Sequence, residues 1–212
     1  MSVAPGLAAA LRLIVILDAD VAGERDLADL GVHAARGGAT MLQVRAKRAG
    51  ARDLAALVRR VMAAAPVPVV VNDRLDVALA TGAAGCHLGQ DDFPLDAARA
   101  VAPPGFWLGG SAGDPDEARR AAGADYLGIG PIAATASKAD AGAAIGVAGF
   151  RRVHGAAPER PAVAIGGVTA ALAPALLAAG AAGLAVIRAV LDAPDVERAA
   201  AELRLALGPA AR

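Results

Sequence analysis

Residues 67–88 read Val-Pro-Val-Val-Val-Asn-Asp-Arg-Leu-Asp-Val-Ala-Leu-Ala-Thr-Gly-Ala-Ala-Gly-Cys-His-Leu. The apolar run 67–71 predicts a short buried strand. A polar break, Asn72-Asp73-Arg74, separates it from a helix expected over 75–80. Gly82 then stands where a helix C-terminus needs a left-handed residue. The next strand is expected over 85–88. A strand, a helix and a second strand in so short a span describe one βαβ unit with parallel strands.

The same junction recurs along the chain. Gly38-Ala39, Gly123-Ala124 and Gly180-Ala181 repeat Gly82-Ala83, and the glycines are spaced 44, 41 and 57 residues apart. Each glycine is expected to be a left-handed helix cap, and each pair leads into a strand. Further strands are expected at 13–17, 41–44, 107–109, 126–129, 163–165 and 184–187. Helices are expected at 25–36, 52–64, 95–101, 115–122, 147–153, 172–179 and 195–207. In 52–64, Leu54, Leu57, Val58 and Val61 fall on one helical face. Eight strands alternating with eight helices require a parallel sheet. A closed barrel and an open doubly wound sheet both fit. The recurring junction favours a (β/α)8 TIM barrel, one domain spanning 1–212. In either architecture the chemistry sits at the carboxyl ends of the strands.

Composition narrows the class. Apolar residues make up 56% and aromatics 2%, so the core is built from Ala, Val, Leu and Ile. Lys plus Arg and Asp plus Glu are 21 each, so there is no global basic field to recruit nucleic acid. Cys86 is the only cysteine, which excludes an intrachain disulfide and a cysteine metal cluster. A cytoplasmic setting is the simpler expectation. Residues 1–13 lack a charged n-region and a full apolar h-region, so no signal peptide is expected. Residues 161–187 carry no charge, but Gly166-Gly167, Thr169, Pro174, Gly180 and Gly183 break them into short elements, so no membrane span is expected. The sequence leaves association into a homo-oligomer open.

The strand ends hold the chemistry-bearing residues. After the second strand, alternation sends Gln43, Arg45 and Lys47 to one side, where two cations and an amide could grip a diphosphate. A solvated basic loop fits these residues equally, since Arg48 follows. Asp73 follows the third strand, and Asp91 and Asp92 follow the fourth. Acids on adjacent strands can share a hard cation such as Mg2+, which takes one or two carboxylates plus phosphates and water. The competing role for all three is helix capping or a turn. His33 and His154 fall in predicted helices, and His87 reads as a packed strand residue. Ser111 follows the fifth strand. A long loop after the sixth carries Thr135, Ser137 and Lys138, two hydroxyls and a cation suited to phosphate or to an exposed tip. Gly166-Gly167 and Ile187-Arg188 follow the last two strands, where barrels often build a phosphate site.

Taken together, several motifs resemble the thiamine-phosphate synthases. They are Gln43-Val44-Arg45-Ala46-Lys47, Asn72-Asp73-Arg74, His87-Leu88-Gly89-Gln90-Asp91-Asp92, Gly130-Pro131-Ile132, Thr135-Ala136-Ser137-Lys138 and Ile165-Gly166-Gly167-Val168. The similarity spans residues 23–191. It implies condensation of a hydroxymethylpyrimidine diphosphate with a (carboxy)thiazole phosphate to give thiamine phosphate and pyrophosphate, with Mg2+ as cofactor. It further implies that Gln43, Arg45, Lys47, Asn72, Ser111 and Lys138 bind the pyrimidine diphosphate. Asp73 and Asp92 are then the metal ligands, and Thr135, Ser137, Gly167, Ile187 and Arg188 surround the thiazole phosphate. Arg45, Lys47 and Lys138 would stabilise the leaving group.

Four departures from the family pattern stand out. Arg188 replaces a small hydroxyl residue, so it is expected to grip the thiazole phosphate, point outward or block the site. Gly113 stands where a histidine is common, which argues against the related thiazole tautomerases. Val15-Ile16-Leu17-Asp18 lacks the usual Tyr and Thr, and Ser137 replaces a second Thr. Two alternatives follow: a related barrel with another reaction on a phosphorylated heterocycle, and a non-catalytic phosphate-ligand sensor.

Overall fold

The computed structural model describes residues 6–134 and 142–209. In chain order its elements are α1 (Leu7–Ala10), β1 (Leu13–Asp18), α2 (Ala19–Ala22), α3 (Leu27–Arg36), β2 (Met41–Arg45), α4 (Ala51–Ala64), β3 (Val69–Asn72), α5 (Leu75–Thr81), β4 (Gly85–Leu88), α6 (Leu95–Val101), β5 (Trp107–Ala112), α7 (Pro115–Arg120), β6 (Tyr126–Ile129), α8 (Gly146–His154), β7 (Ala162–Ile165), α9 (Ala173–Ala178, after a 3-10 turn at Ala170–Leu172), β8 (Gly183–Val186), α10 (Arg188–Leu191) and α11 (Val196–Ala206).

The strands pair in sequence order, all parallel, and β8 returns to β1 to close the barrel. The closed barrel is therefore the observed alternative of the two that the sequence allowed. Strand alternation divides the core into two layers. Ile14, Ile16, Met41, Val70, Tyr126, Val163 and Ala185 fill the barrel interior. Leu13, Val15, Leu42, Val44, Val71, Leu127 and Ala164 face the surrounding helices. The α1 turn closes the amino-terminal end, with Leu7 and Leu11 packed in the same cluster as Trp107. Residues 161–187 resolve into β7, the 3-10 turn, α9 and β8, and among the described residues no helix is long and apolar enough to cross a membrane.

Helix α4 shows how the outer layer is held. Leu54, Val58 and Val61 are buried, and Leu57 is partly buried against them. Each fully buried side chain contributes roughly 1.5–3 kcal/mol, so Leu54→Ala would remove a large share of this contact.

Some boundaries differ from expectation for identifiable reasons. Helix α3 begins at Leu27 rather than 25 because Asp26 caps it, its carboxylate accepting the Ala28 N–H at 2.7 Å. Strand β3 begins at Val69, beyond Pro68, which has no N–H for a ladder. Strand β5 extends to Ala112 because Ser111 and Ala112 pair with Gly128 and Ile129. Gly38, Gly82 and Gly180 are left-handed as expected, at φ 101°, 71° and 98°. Gly123 is not among the positive-φ glycines. A Cβ there would lie 2.8 Å from the Leu95 carbonyl oxygen, so close approach to α6 is what requires glycine.

Candidate active site

The carboxyl ends of the strands surround a cavity of about 770 Å3. Gln43, Arg45, Lys47, Asn72, Asp73, Asp92, Ser111, Gly167, Ile187 and Arg188 all line it. Thr135, Ser137 and Lys138 lie outside the described residues, while Ala134, Gly142 and Ala143 beside that segment reach the same cavity.

Strand β2 turns Gln43 and Arg45 inward, and Lys47 follows two residues on. Gln43 is 3% exposed. The Arg45 guanidinium donates to the carboxylate of Asp18, its register partner on β1. Asp18 is 1% exposed, and its other oxygen accepts N–H bonds from Asp20 at 2.9 Å and Val21 at 3.2 Å, capping α2. Arg45 is therefore fixed from behind rather than left in solvent. The sequence alone did not pair Asp18 with Arg45. The signal available was an acid at the end of the first strand, level with Arg45.

Asp73 does not cap α5. The residue at the cap is Arg74, with no side-chain cap bond, and Asp73 adopts φ 64°. Its N–H still donates to the His87 carbonyl at 2.8 Å, so the chain leaves the ladder one residue later than β3 ends. Left-handed backbone is uncommon outside Gly, Asn and Asp, and here it turns the carboxylate into the cavity. Asp92 does not cap α6 either, since Pro94 occupies that position. Its carboxylate accepts the Gly89 N–H at 2.7 Å, which makes the expected turn.

The two carboxylates meet across the cavity wall. Burial, followed by the hydrogen bond and charge of Asp92, raises Asp73 to about 6, with Lys47 and Arg45 pulling the other way. The Lys47 ammonium is 3.7 Å from Asp73. An acid pushed up in this way is a place where a cation is welcome. Among the described residues no cluster of three or more His, Cys, Asp or Glu could hold a metal. Two acids facing a cavity large enough for phosphate suit a hard cation that completes its shell with substrate oxygens and water.

Two further contacts were not legible beforehand. Ser111 and His87 meet at 3.1 Å, and Glu117 accepts the Gly113 N–H at 2.6 Å at the rim. Both depend on neighbours distant in sequence or on a loop's path.

On the opposite wall, Gly166 and Gly167 take φ 84° and 65°. A Cβ on Gly167 would lie 2.8 Å from the Ala133 carbonyl oxygen, so glycine allows the two loops to run side by side. Arg188 stands at the start of α10, half exposed on the rim. Its guanidinium donates to Asp192 at 3.1 Å, one turn along its own helix.

A (β/α)8 barrel whose strand ends gather paired acids, cations and glycine loops in one cavity is an enzyme fold arranged for phosphorylated substrates. Comparison with known proteins narrows the class. The family model described as thiamine monophosphate synthase matches residues 13–190. The thiamine-phosphate synthase of Methanoculleus marisnigri is 47% identical over 197 residues, covering 91% of this chain and 93% of that protein. That of Moorella thermoacetica is 46% identical with the same coverage. The structure of a thiamine phosphate pyrophosphorylase from Pyrococcus furiosus superposes with a TM-score of 0.83 at 37% identity, covering 95% of this chain and 97% of the other. The chain belongs to the thiamine-phosphate synthase family, and its activity is thiamine phosphate synthesis, a transferase reaction.

Proposed function

We propose that this chain, working as one domain, joins 4-amino-2-methyl-5-(diphosphooxymethyl)pyrimidine to a (carboxy)thiazole phosphate. The bond between the pyrimidine's methylene carbon and the diphosphate oxygen breaks, and the electron pair leaves with pyrophosphate. The electron-rich pyrimidine carries the positive charge at that carbon. The thiazole nitrogen then donates its lone pair to form the new C–N bond. No protein nucleophile is needed, and the site residues act by holding and by charge.

The observation that carries this reading is the convergence of Arg45 and Lys47 with Asp73 and Asp92 on one cavity. Arg45 and Lys47, with Lys138, hold the diphosphate and oppose the charge it gains on leaving. Gln43, Asn72 and Ser111 orient the pyrimidine end. Gly167, Ile187 and Arg188, with Thr135 and Ser137, receive the thiazole phosphate. Asp73 and Asp92 hold Mg2+, which when bound supplies further charge stabilisation to the leaving pyrophosphate. Cys86 is buried and its thiol is pushed far up by burial, which suits a protein of the reducing cytoplasm that uses no cysteine chemistry.

Thiamine phosphate formation from the two substrates, measured with Mg2+ and with EDTA, tests the reading. Product that requires Mg2+ is expected. Equal rates in EDTA would remove the metal assignment.

A further inference from the structure

A chain of three polar side chains runs from the cavity-lining Ser111 through His87 to Tyr126, and the proposed chemistry uses only the first of them. The Tyr126 hydroxyl is 3.3 Å from His87 Nδ1, and His87 Nε2 is 3.1 Å from the Ser111 hydroxyl. Tyr126 is 1% exposed and His87 7%. His87, Gly109 and Tyr126 occupy one register row across β4, β5 and β6. The barrel is built around the imidazole. A Cβ on Gly109 would lie 2.3 Å from His87 Nδ1 and 2.5 Å from the Tyr126 hydroxyl oxygen. A Cβ on Gly128 would lie 3.0 Å from His87 Cε1. Two strands thus omit a side chain where the ring sits, which leaves the ring little freedom to turn.

The polarity of the chain follows from the buried phenol. Burial keeps Tyr126 protonated well beyond neutral pH. Its hydroxyl must donate, because an unsatisfied buried donor is costly. Among the described residues the acceptor in reach is His87 Nδ1. An imidazole that accepts at Nδ1 carries its proton on Nε2. Nε2–H then donates to the Ser111 oxygen, which occupies a lone pair and turns the serine's own proton toward the cavity.

We infer that Tyr126 and His87 are positioning residues that fix the Ser111 hydroxyl as a hydrogen-bond donor, so that this part of the cavity selects a ligand presenting an acceptor, such as an unprotonated ring nitrogen. The inference rests on the reading that Ser111 meets the pyrimidine substrate. It assigns the direction of that contact and two residues that set it from behind.

The test has two parts. Nitrogen-15 NMR of the free full-length protein, with three histidines to assign, reads the tautomer without any substrate. The Nε2–H form of His87 is expected, and an Nδ1–H form would overturn the relay. Kinetics supply the second part. Tyr126→Phe should raise the pyrimidine diphosphate KM about fivefold, as for loss of one well-placed neutral hydrogen bond, with kcat and the thiazole KM nearly unchanged. Its His87 signal should shift toward mixed tautomers. His87→Gln keeps an amide donor and should retain more of the pyrimidine affinity than His87→Leu. Wild-type pyrimidine KM in both Tyr126→Phe and His87→Leu would overturn the inference. A wild-type pyrimidine KM in Ser111→Ala would instead overturn the substrate assignment of Ser111, and the spectrum keeps that failure distinct.

Discussion

Asp18 and Arg45 are register partners at the carboxyl ends of β1 and β2, and the buried Asp18 carboxylate holds the Arg45 guanidinium at the cavity wall. One carboxylate oxygen caps α2 while the other takes the arginine, so a single acid ties a backbone turn to a substrate-facing cation. Asp18→Asn keeps the cap acceptor and removes the charge. Losing one partner of a buried pair costs about 3 kcal/mol, which urea unfolding would register. Arg45 would also lose its fixed direction, so kcat should fall about tenfold while the thiazole KM holds. An unchanged kcat would show that Arg45 needs no such anchor.

Asp73 gives a pH-dependent prediction. In the unfolded chain it titrates near 3.8, and in the fold near 6. Below the lower value it is protonated in both states and costs nothing. Between the two, the fold binds more protons than the unfolded chain, so stability falls as pH rises, and the full cost is present above about 6. Asp73→Asn removes the charge, and asparagine tolerates the left-handed backbone. In EDTA the variant should therefore be more stable than the parent at pH 7.5 by about 1 kcal/mol, a figure discounted for the water that reaches the carboxylate. The gap should vanish near pH 3.5. Mg2+ should stabilise the parent and leave the variant nearly unmoved. A gap that does not vary with pH would mean that neither burial nor Asp92 raises Asp73 in the fold.

Much of this architecture was readable from local signals. Runs such as Val69-Val70-Val71 and the glycines at 38, 82 and 180 mark strands and helix ends by properties of the residues themselves. The short helices α1, α2 and α10 escaped because four residues are too few to show a helical period. Gly123 looked like its three counterparts, and only its nearness to Leu95 in space reveals why glycine stands there. The cavity-lining residues were found because barrel chemistry collects at strand ends. The partners behind them, Asp18 for Arg45 and His87 for Ser111, depend on register between strands, which no window of sequence contains.

Arg188 stands on the rim of the cavity, where the resemblance leads one to expect a small hydroxyl residue. It is half exposed and pairs with Asp192 in the order that opposes the helix dipole, the weaker arrangement of an i,i+4 pair. Arg188→Ser should therefore change stability by no more than about 0.5 kcal/mol. The thiazole phosphate KM should rise several-fold, because a charged donor on the rim is lost. Asp192→Ala should act in the opposite direction by releasing Arg188 toward the phosphate. If neither variant moves that KM, Arg188 takes no part in binding.

Gly167 tests whether the loop after β7 is shaped for an anion. It sits at φ 65°, and a Cβ there would lie 2.8 Å from the Ala133 carbonyl oxygen and 2.9 Å from the Ala133 Cβ. Gly167→Ala therefore carries two costs. The left-handed backbone accounts for about 1–2 kcal/mol. The collision adds displacement of the 133 segment, which runs on toward Thr135. Gly105 separates the two effects, since it has φ 82° and nothing within 4 Å of a Cβ. Gly105→Ala should lower stability by the backbone cost alone and leave both KM values unchanged. Gly167→Ala should be less stable than Gly105→Ala and should raise the thiazole phosphate KM about tenfold, because Gly167 itself and the hydroxyls of the displaced loop are assigned to that substrate. Equal stability losses and unaltered KM values in the two variants would mean that the contact between the loops yields freely and that the glycine serves the turn rather than the phosphate.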